Sequence, residues 1–265
     1  MKRAAFTLIE LLVVIATIAL LMAVLVPALQ SSRQRAKSVL CSSNIKQLTV
    51  GLFMYETENG ILPHAFDNTP MYPPPGGYAG GSAYDRIGWW WFNHMDGYFS
   101  KDKAKRTVLL CPSKHIRNRR LKGNILCGNY GVNQSICKSS SGRESRSEFI
   151  GMPLRSADIS RPAETLLIVD SGYSMINWWH ATDAPPTALG NIIIEDTAYI
   201  PGLKINAERD LWPGQERDAI NGRHPNKSVN VGFADGHISS VKADDLLVEE
   251  SDGNYNNRSP LWLPK

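Results

Sequence analysis

Glu10 is the first residue whose chemistry clashes with its surroundings. It ends Phe6-Thr7-Leu8-Ile9-Glu10, just ahead of an apolar run from Leu11 to Leu29 broken only by Thr17 and Pro27. A carboxylate at the bilayer centre costs about 2.5–3.5 kcal/mol on insertion scales and less near an interface, so it marks a function or a partner. Cys41, Cys111, Cys127 and Cys137 form a second set. An even number in an oxidising compartment suggests two disulfides, with three connectivities, and none of these cysteines has the Cys-x2-Cys spacing of a zinc site. His224, Asp235 and His237 are the raw material of a general base or a metal site. A turn accounts for Asp235-Gly236, however, and His237 follows it directly. HExxH, Gly-x-Ser-x-Gly and phosphate-loop patterns are all missing. The expectation is a chain that is not an enzyme and carries no catalytic residue, cofactor or metal. Trp89, Trp90 and Trp91, with Trp178 and Trp179, are the remaining candidates. Aromatic clusters stack on sugars or anchor protein partners. Core packing is the simpler role, but Trp89, Trp90 and Trp91 follow a Gly/Pro loop and are candidate ligand-binding residues.

These residues need elements to position them. A bilayer-spanning helix takes about 20 mostly apolar residues, and the Leu11–Leu29 run meets that length. Lys2 and Arg3 precede it with no acid among the first five residues, so the amino terminus stays cytoplasmic and the bulk of the chain is exported. The helical signal continues past the membrane. Cys41, Ile45, Leu48, Leu52 and Tyr55 recur at spacings of four and three, one apolar stripe. Asn59-Gly60 supplies the stop. The spacing predicts one helix from about Thr7 to Asn59, on the order of 80 Å long and bent near Pro27.

Beyond the helix, residues 61 to 88 read as a Pro- and Gly-rich loop, and Val108 to Cys111 as a short buried strand ended by Pro112. Thr165 to Val169 is the best central strand, and Asn191 to Ile194 is another. Val229, Val231 and Phe233 alternate with smaller residues before Asp235-Gly236, and Ile238 to Val241 returns: a hairpin whose two turn positions both require positive φ. Cys41 faces the domain and Cys111 ends a strand that packs on the helix, while Cys127 and Cys137 share one loop. Pairing Cys41 with Cys111 and Cys127 with Cys137 is therefore economical, with a buried Cys41 thiol as the alternative. The class is α+β, a long amino-terminal helix on an antiparallel sheet with large loop insertions. Net charge is +4, from 29 bases against 25 acids, which is no nucleic-acid signature.

Ala4-Ala5 followed by Phe-Thr-Leu-Ile-Glu and an apolar helix resembles the signal of type IV pilins and type II secretion pseudopilins. The resemblance implies cleavage by prepilin peptidase between Ala5 and Phe6, methylation of the new amino terminus, and a carboxylate, Glu10, that guides filament assembly. Pro27 matches the family's helix-kinking proline, while Ala5 stands where the family usually has Gly. The later chain resembles large pilin-like proteins that carry a late His, a nine-residue gap and Asp-Gly. Here the gap from His224 to Asp235-Gly236 is ten residues, which a wider turn at Pro225-Asn226 would absorb. Leu110-Cys111-Pro112-Ser113, Asn129-Tyr130-Gly131-Val132-Asn133 and Pro162-Ala163-Glu164-Thr165 extend that likeness. It implies a leader at 1–5, a transmembrane and assembly helix at 6–30, its amphipathic continuation at 31–60 and an exported domain at 61–265. The implied function is a structural subunit of a type IV pilus-like or pseudopilus-like filament. The implied partners are prepilin peptidase, other pilin-like subunits and the inner membrane, with the domain in the periplasm or, after assembly, at the cell surface. The alternative is a minor or tip subunit, or an anchored module that binds glycan, protein or a surface through its Trp-rich loops.

Overall fold

Thr7 starts the molecule's dominant element. The computed structural model describes residues 7–74, 77–78, 87–98, 108–140, 147–183 and 198–264. Helix α1 (Leu8–Asn59) runs 52 residues without interruption, through Pro27. At its start the Thr7 hydroxyl accepts from the Glu10 amide, while Glu10 Oε2 accepts from the Thr7 amide at 2.8 Å. This reciprocal capping box satisfies backbone donors that a helix start otherwise leaves open. At its end Gly60 takes φ 78° and its amide bonds the Glu56 carbonyl, the left-handed stop that glycine permits.

The two halves of α1 have opposite environments. Residues 8–37 are exposed throughout, although most are apolar, and this half is long and apolar enough to cross a membrane. From Cys41 onward the inner stripe of Cys41, Ile45, Leu48, Thr49, Gly51 and Leu52 is buried. Tyr55, the last residue of the expected stripe, is only half-buried.

That stripe lies on a five-stranded sheet in the order β5-β3-β4-β6-β7, comprising β3 (Tyr130–Asn133), β4 (Leu166–Asp170), β5 (Met175–Ile176), β6 (Ser228–Phe233) and β7 (Ile238–Lys242). α1 packs across β6, β7 and β4. Along β6, Asn230, Gly232 and Ala234 alternate with Val229, Val231 and Phe233, which pack with Trp178, Trp179, Leu246 and Trp262. Strands β3, β4, β5 and β6 are thus buried on both faces, while the edge strand β7 stays partly exposed. Gly232 sets the helix distance, since a Cβ there would lie 2.7 Å from Thr49 Oγ1 and 3.0 Å from Ile45 Cγ2. Two smaller ribbons complete the strands among the described residues: β1 (Phe66–Asp67) with β2 (Trp89–Trp90), and β8 (Glu249–Ser251) with β9 (Asn254–Asn256). Short helices α2 (Trp91–His94), α3 (Arg119–Gly123) and α4 (Glu216–Asn221) lie in the connections.

The α+β class stands, with three corrections. The sheet is mixed, because β3 and β5 pair in parallel while the other pairs are antiparallel. Val108 to Cys111 forms no strand: Leu109 is buried, Leu110 turns outward, and the Cys111 amide bonds the Asn129 side chain instead of a ladder. The β6–β7 turn has one left-handed residue rather than two. Gly236 takes φ 91°, its amide bonds the Phe233 carbonyl, and the Phe233 amide bonds His237, so the loop is Ala234-Asp235-Gly236 with glycine at its bulge position. The strand expected at Asn191–Ile194 lies outside the described residues.

Candidate functional site

Four segments far apart in the chain converge where α1 meets the sheet. Cys41 comes from the first buried turn of α1, Cys111 from the segment before α3, Asp170 from the end of β4, and His224 from the turn leading into β6. One donor atom from each lies within 4.8 Å of all the others. Exposure is 0% for Cys41 and Asp170 and 5% for Cys111 and His224. Cys41 Sγ is 2.9 Å from Cys111 Sγ, and His224 Nε2 is 3.0 Å from Asp170 Oδ2.

Each ligand-bearing residue has a local reason for its position. The Cys111 amide is held by Asn129 Oδ1 at 3.0 Å, and Asn129 in turn donates to the Ile125 carbonyl at 2.8 Å. Asp170 Oδ2 accepts from the Asn230 amide at 2.8 Å and from its side chain at 3.2 Å. His224 precedes a tight turn in which Asn226 and Lys227 both take left-handed φ, 58° and 53°, at the place where the wider turn was expected. Arg223 beside it is locked by Asp218 at 2.7 Å and by the carbonyls of Asn129 and Ser171, each at 2.8 Å. That second ion pair is fully satisfied, with Tyr199 and the His115 amide also donating to Asp218. It is a brace, since a buried pair stripped of one partner is strongly destabilising.

The first cluster is not satisfied. Asp170 Oδ1 and His224 Nδ1 are buried without a hydrogen-bond partner. Such orphans cost about 1–3 kcal/mol each and call for an explanation. Hydrogen bonding to Cys111, helped by His224, pulls the Cys41 thiol below its usual range, while burial pushes Cys111 well up. Burial opposes charge on His224, yet its hydrogen bonds, above all to Asp170, outweigh this and raise it to about 9. A thiol, an imidazole and a carboxylate in contact suggest a nucleophile with its base. Burial removes that role, because no substrate reaches a sulfur with 0% exposure. What remains chemically open to the set is ligation of a metal or oxidation of the dithiol.

Other expected site residues fall elsewhere. Ala5 and Phe6 lie outside the described residues, and Glu10 and Pro27 sit on the exposed half of α1. Cys41 and Cys111 come together as the expected pairing has them, their sulfurs 2.9 Å apart and unbonded, whereas Cys137 is a separate buried thiol. Cys127 bridges to Tyr173 ahead of β3 and Cys137 follows β3. His224 does not join Asp235, Gly236 and His237, because β6 separates them by about 20 Å of extended chain. At the far end His237 Nδ1 sits 2.6 Å from Asp235 Oδ1 and stacks on Phe233, and Lys46 of α1 donates to the Gly236 carbonyl at 2.8 Å. Of the tryptophans, Trp90 and Trp91 are core residues, 0% and 1% exposed, so as ligand-binding candidates they are withdrawn. Trp89 is half-buried between Tyr72 and His94. No protein-family model matches the chain, and comparison with curated proteins and with solved structures finds no significant similarity.

Proposed function

We propose that this chain is a structural subunit of a type IV pilus-like or pseudopilus-like filament, held in the inner membrane by α1 before assembly. The observation that carries the reading is α1 itself. One unbroken helix joins a fully exposed apolar half, headed by Thr7 and Glu10, to a half seated on the sheet. An exposed apolar surface of that size needs lipid or other subunits to cover it. The seated half also keeps apolar residues outward, with Val39, Leu40, Val50 and Met54 each at least 45% exposed. In a filament these would face neighbouring helices. The burial of Trp90 and Trp91 takes away the support for the alternative, a module that binds through Trp-rich loops.

In this reading prepilin peptidase cuts between Ala5 and Phe6, and the Glu10 carboxylate meets a neighbour's new amino terminus. In the single chain Glu10 is held by its own Thr7, at 2.8 Å from both amide and hydroxyl. Assembly would exchange that contact for a charge pair, which lipid favours over an isolated charge. The test is intact mass measurement of membrane-extracted protein, together with the yield of Glu10→Leu subunits in sheared surface filaments. A mature chain beginning at Phe6 with one added methyl group, and loss of Glu10→Leu from the fibres at unchanged membrane level, is expected. An uncut chain, or assembly of Glu10→Leu at the wild-type rate, would end the proposal.

A further inference from the structure

We propose that Cys41, Cys111, Asp170 and His224 bind a structural zinc ion that fastens the stalk helix to its domain. The donor set carries the inference: two thiols, an imidazole and a carboxylate, the ligand types and number of a closed tetrahedral zinc site. Soft sulfur donors disfavour calcium and magnesium, which take oxygen ligands. Burial of all four makes the site structural, with no place for substrate.

The sulfur positions alone do not select a metal. At 2.9 Å they would spread to about 3.8 Å across a tetrahedral zinc with ~2.3 Å bonds, or close to about 2.05 Å in a disulfide, similar movements in opposite directions. The other two residues decide. A disulfide would leave Asp170 Oδ1 and His224 Nδ1 as buried orphans, whereas a cation gives a carboxylate and an imidazole at its edge a reason to be there. The support around the set also suits a ligand shell, for Asn230 holds Asp170 Oδ2 and Asn129 holds the Cys111 amide. Charge balances as follows. Two thiolates, a carboxylate and a neutral imidazole would carry −3 against the +2 of the ion, a net charge of −1, and the protons displaced from the ligands would pass to solvent. Arg223, already paired with Asp218, lies beside the site, its guanidinium reaching the Asn129 carbonyl.

The consequence is mechanical. One ion would tie α1 to β4, to the turn before β6 and to the segment at Cys111, residues otherwise separated by more than fifty positions in sequence. Tension along the stalk would then be carried into the sheet by metal–ligand bonds as well as by packing. This inference is independent of filament assembly, since it holds for any chain with this fold.

The experiment uses the full chain, extracted in mild detergent from cells whose thiols are trapped at lysis in one portion and kept anaerobic in another. Native mass spectrometry of the anaerobic portion should show one zinc per chain. After chelation and dialysis, cobalt should restore the ligand-field and thiolate charge-transfer bands of a tetrahedral site. Asp170→Asn and His224→Gln, which preserve shape, should each weaken zinc binding at least about tenfold in competition with a chromophoric chelator; Cys127→Ser and Cys137→Ser should not. Three results would overturn the proposal: a Cys41–Cys111 disulfide in the thiol-trapped portion, failure of the anaerobic wild-type chain to take up zinc or cobalt, or undiminished binding in both Asp170→Asn and His224→Gln.

Discussion

Adding a single methyl group at Gly232 tests how α1 is seated. The new Cβ would stand 2.7 Å from Thr49 Oγ1, 2.8 Å from Ile168 Cγ2 and 3.0 Å from Ile45 Cγ2. None of the three can swing aside readily. All belong to β-branched side chains with restricted χ1, all are fully buried, and Thr49 Oγ1 is tied to the Ile45 carbonyl at 2.8 Å. Overpacking of this kind costs about 1–3 kcal/mol. Gly232 has no left-handed φ, so alanine also regains about 0.5–1 kcal/mol of the conformational entropy that glycine loses in a strand. The net loss is about 1–2 kcal/mol, and for a domain of this size each kcal/mol moves Tm by roughly 2–4 °C. Gly232→Ala should therefore melt about 2–8 °C below wild type when unfolding of the detergent-solubilised chain is followed by near-ultraviolet circular dichroism. Thr49→Ala removes the nearest obstacle, so the double variant should lose less than the sum of the two single losses. A Gly232→Ala chain as stable as wild type, or strictly additive losses, would show that α1 does not sit where this contact requires.

Trp90→Ala should cost about 3–5 kcal/mol, as for a buried Trp, because its ring packs on Phe66 and Tyr173 at centroid distances of 5.0 and 5.5 Å; an unchanged Tm in chemical or thermal unfolding would return it to the surface. Lys227→Gly should raise stability by up to about 1 kcal/mol, the left-handed penalty relieved less the glycine entropy, and denaturant unfolding reads the sign. Burial holds His180 down at about 3 and His94 at about 4, so both are neutral in the fold and take up protons when it opens. Stability should then decline as pH falls below the ordinary histidine value of 6.5, by up to about 1.4 kcal/mol per pH unit for each group. His180→Gln should flatten that decline; an equally steep acid limb in the variant would assign it to other groups.

Legibility in the sequence followed the range of the interaction. Helix α1 was readable almost to the residue because its determinants are local: Thr7 and Glu10 three apart, an apolar stripe at helical spacing, and Gly60 at the end. Strand β4 and the β6–β7 hairpin were readable for the same reason, from an apolar run and an Asp-Gly turn. Val108 to Cys111 misled because an apolar run of four does not say whether it will find a ladder. Here the one amide that matters, that of Cys111, is claimed by an asparagine eighteen residues on.

The candidate site was legible only in pieces. Cys41 and Cys111 stood out as cysteines and His224 as half of a motif, but spacings of 70 and more residues carry no ligand pattern. Asp170 read merely as the residue that closes an apolar strand. Its burial at 0%, with one oxygen unpaired, is a tertiary fact that arises because β6 brings Asn230 against it and the turn at Pro225–Lys227 brings His224 over it. One signal was present and underused. β6 alternates Val229, Val231 and Phe233 with Asn230, Gly232 and Ala234, so in a strand buried on both faces the asparagine required a buried polar partner. Following that requirement from Asn230 across the ladder leads to the end of β4, where the only acid is Asp170. The polar residue in an otherwise apolar pattern, more than the histidine or the cysteines, was the address of the cluster.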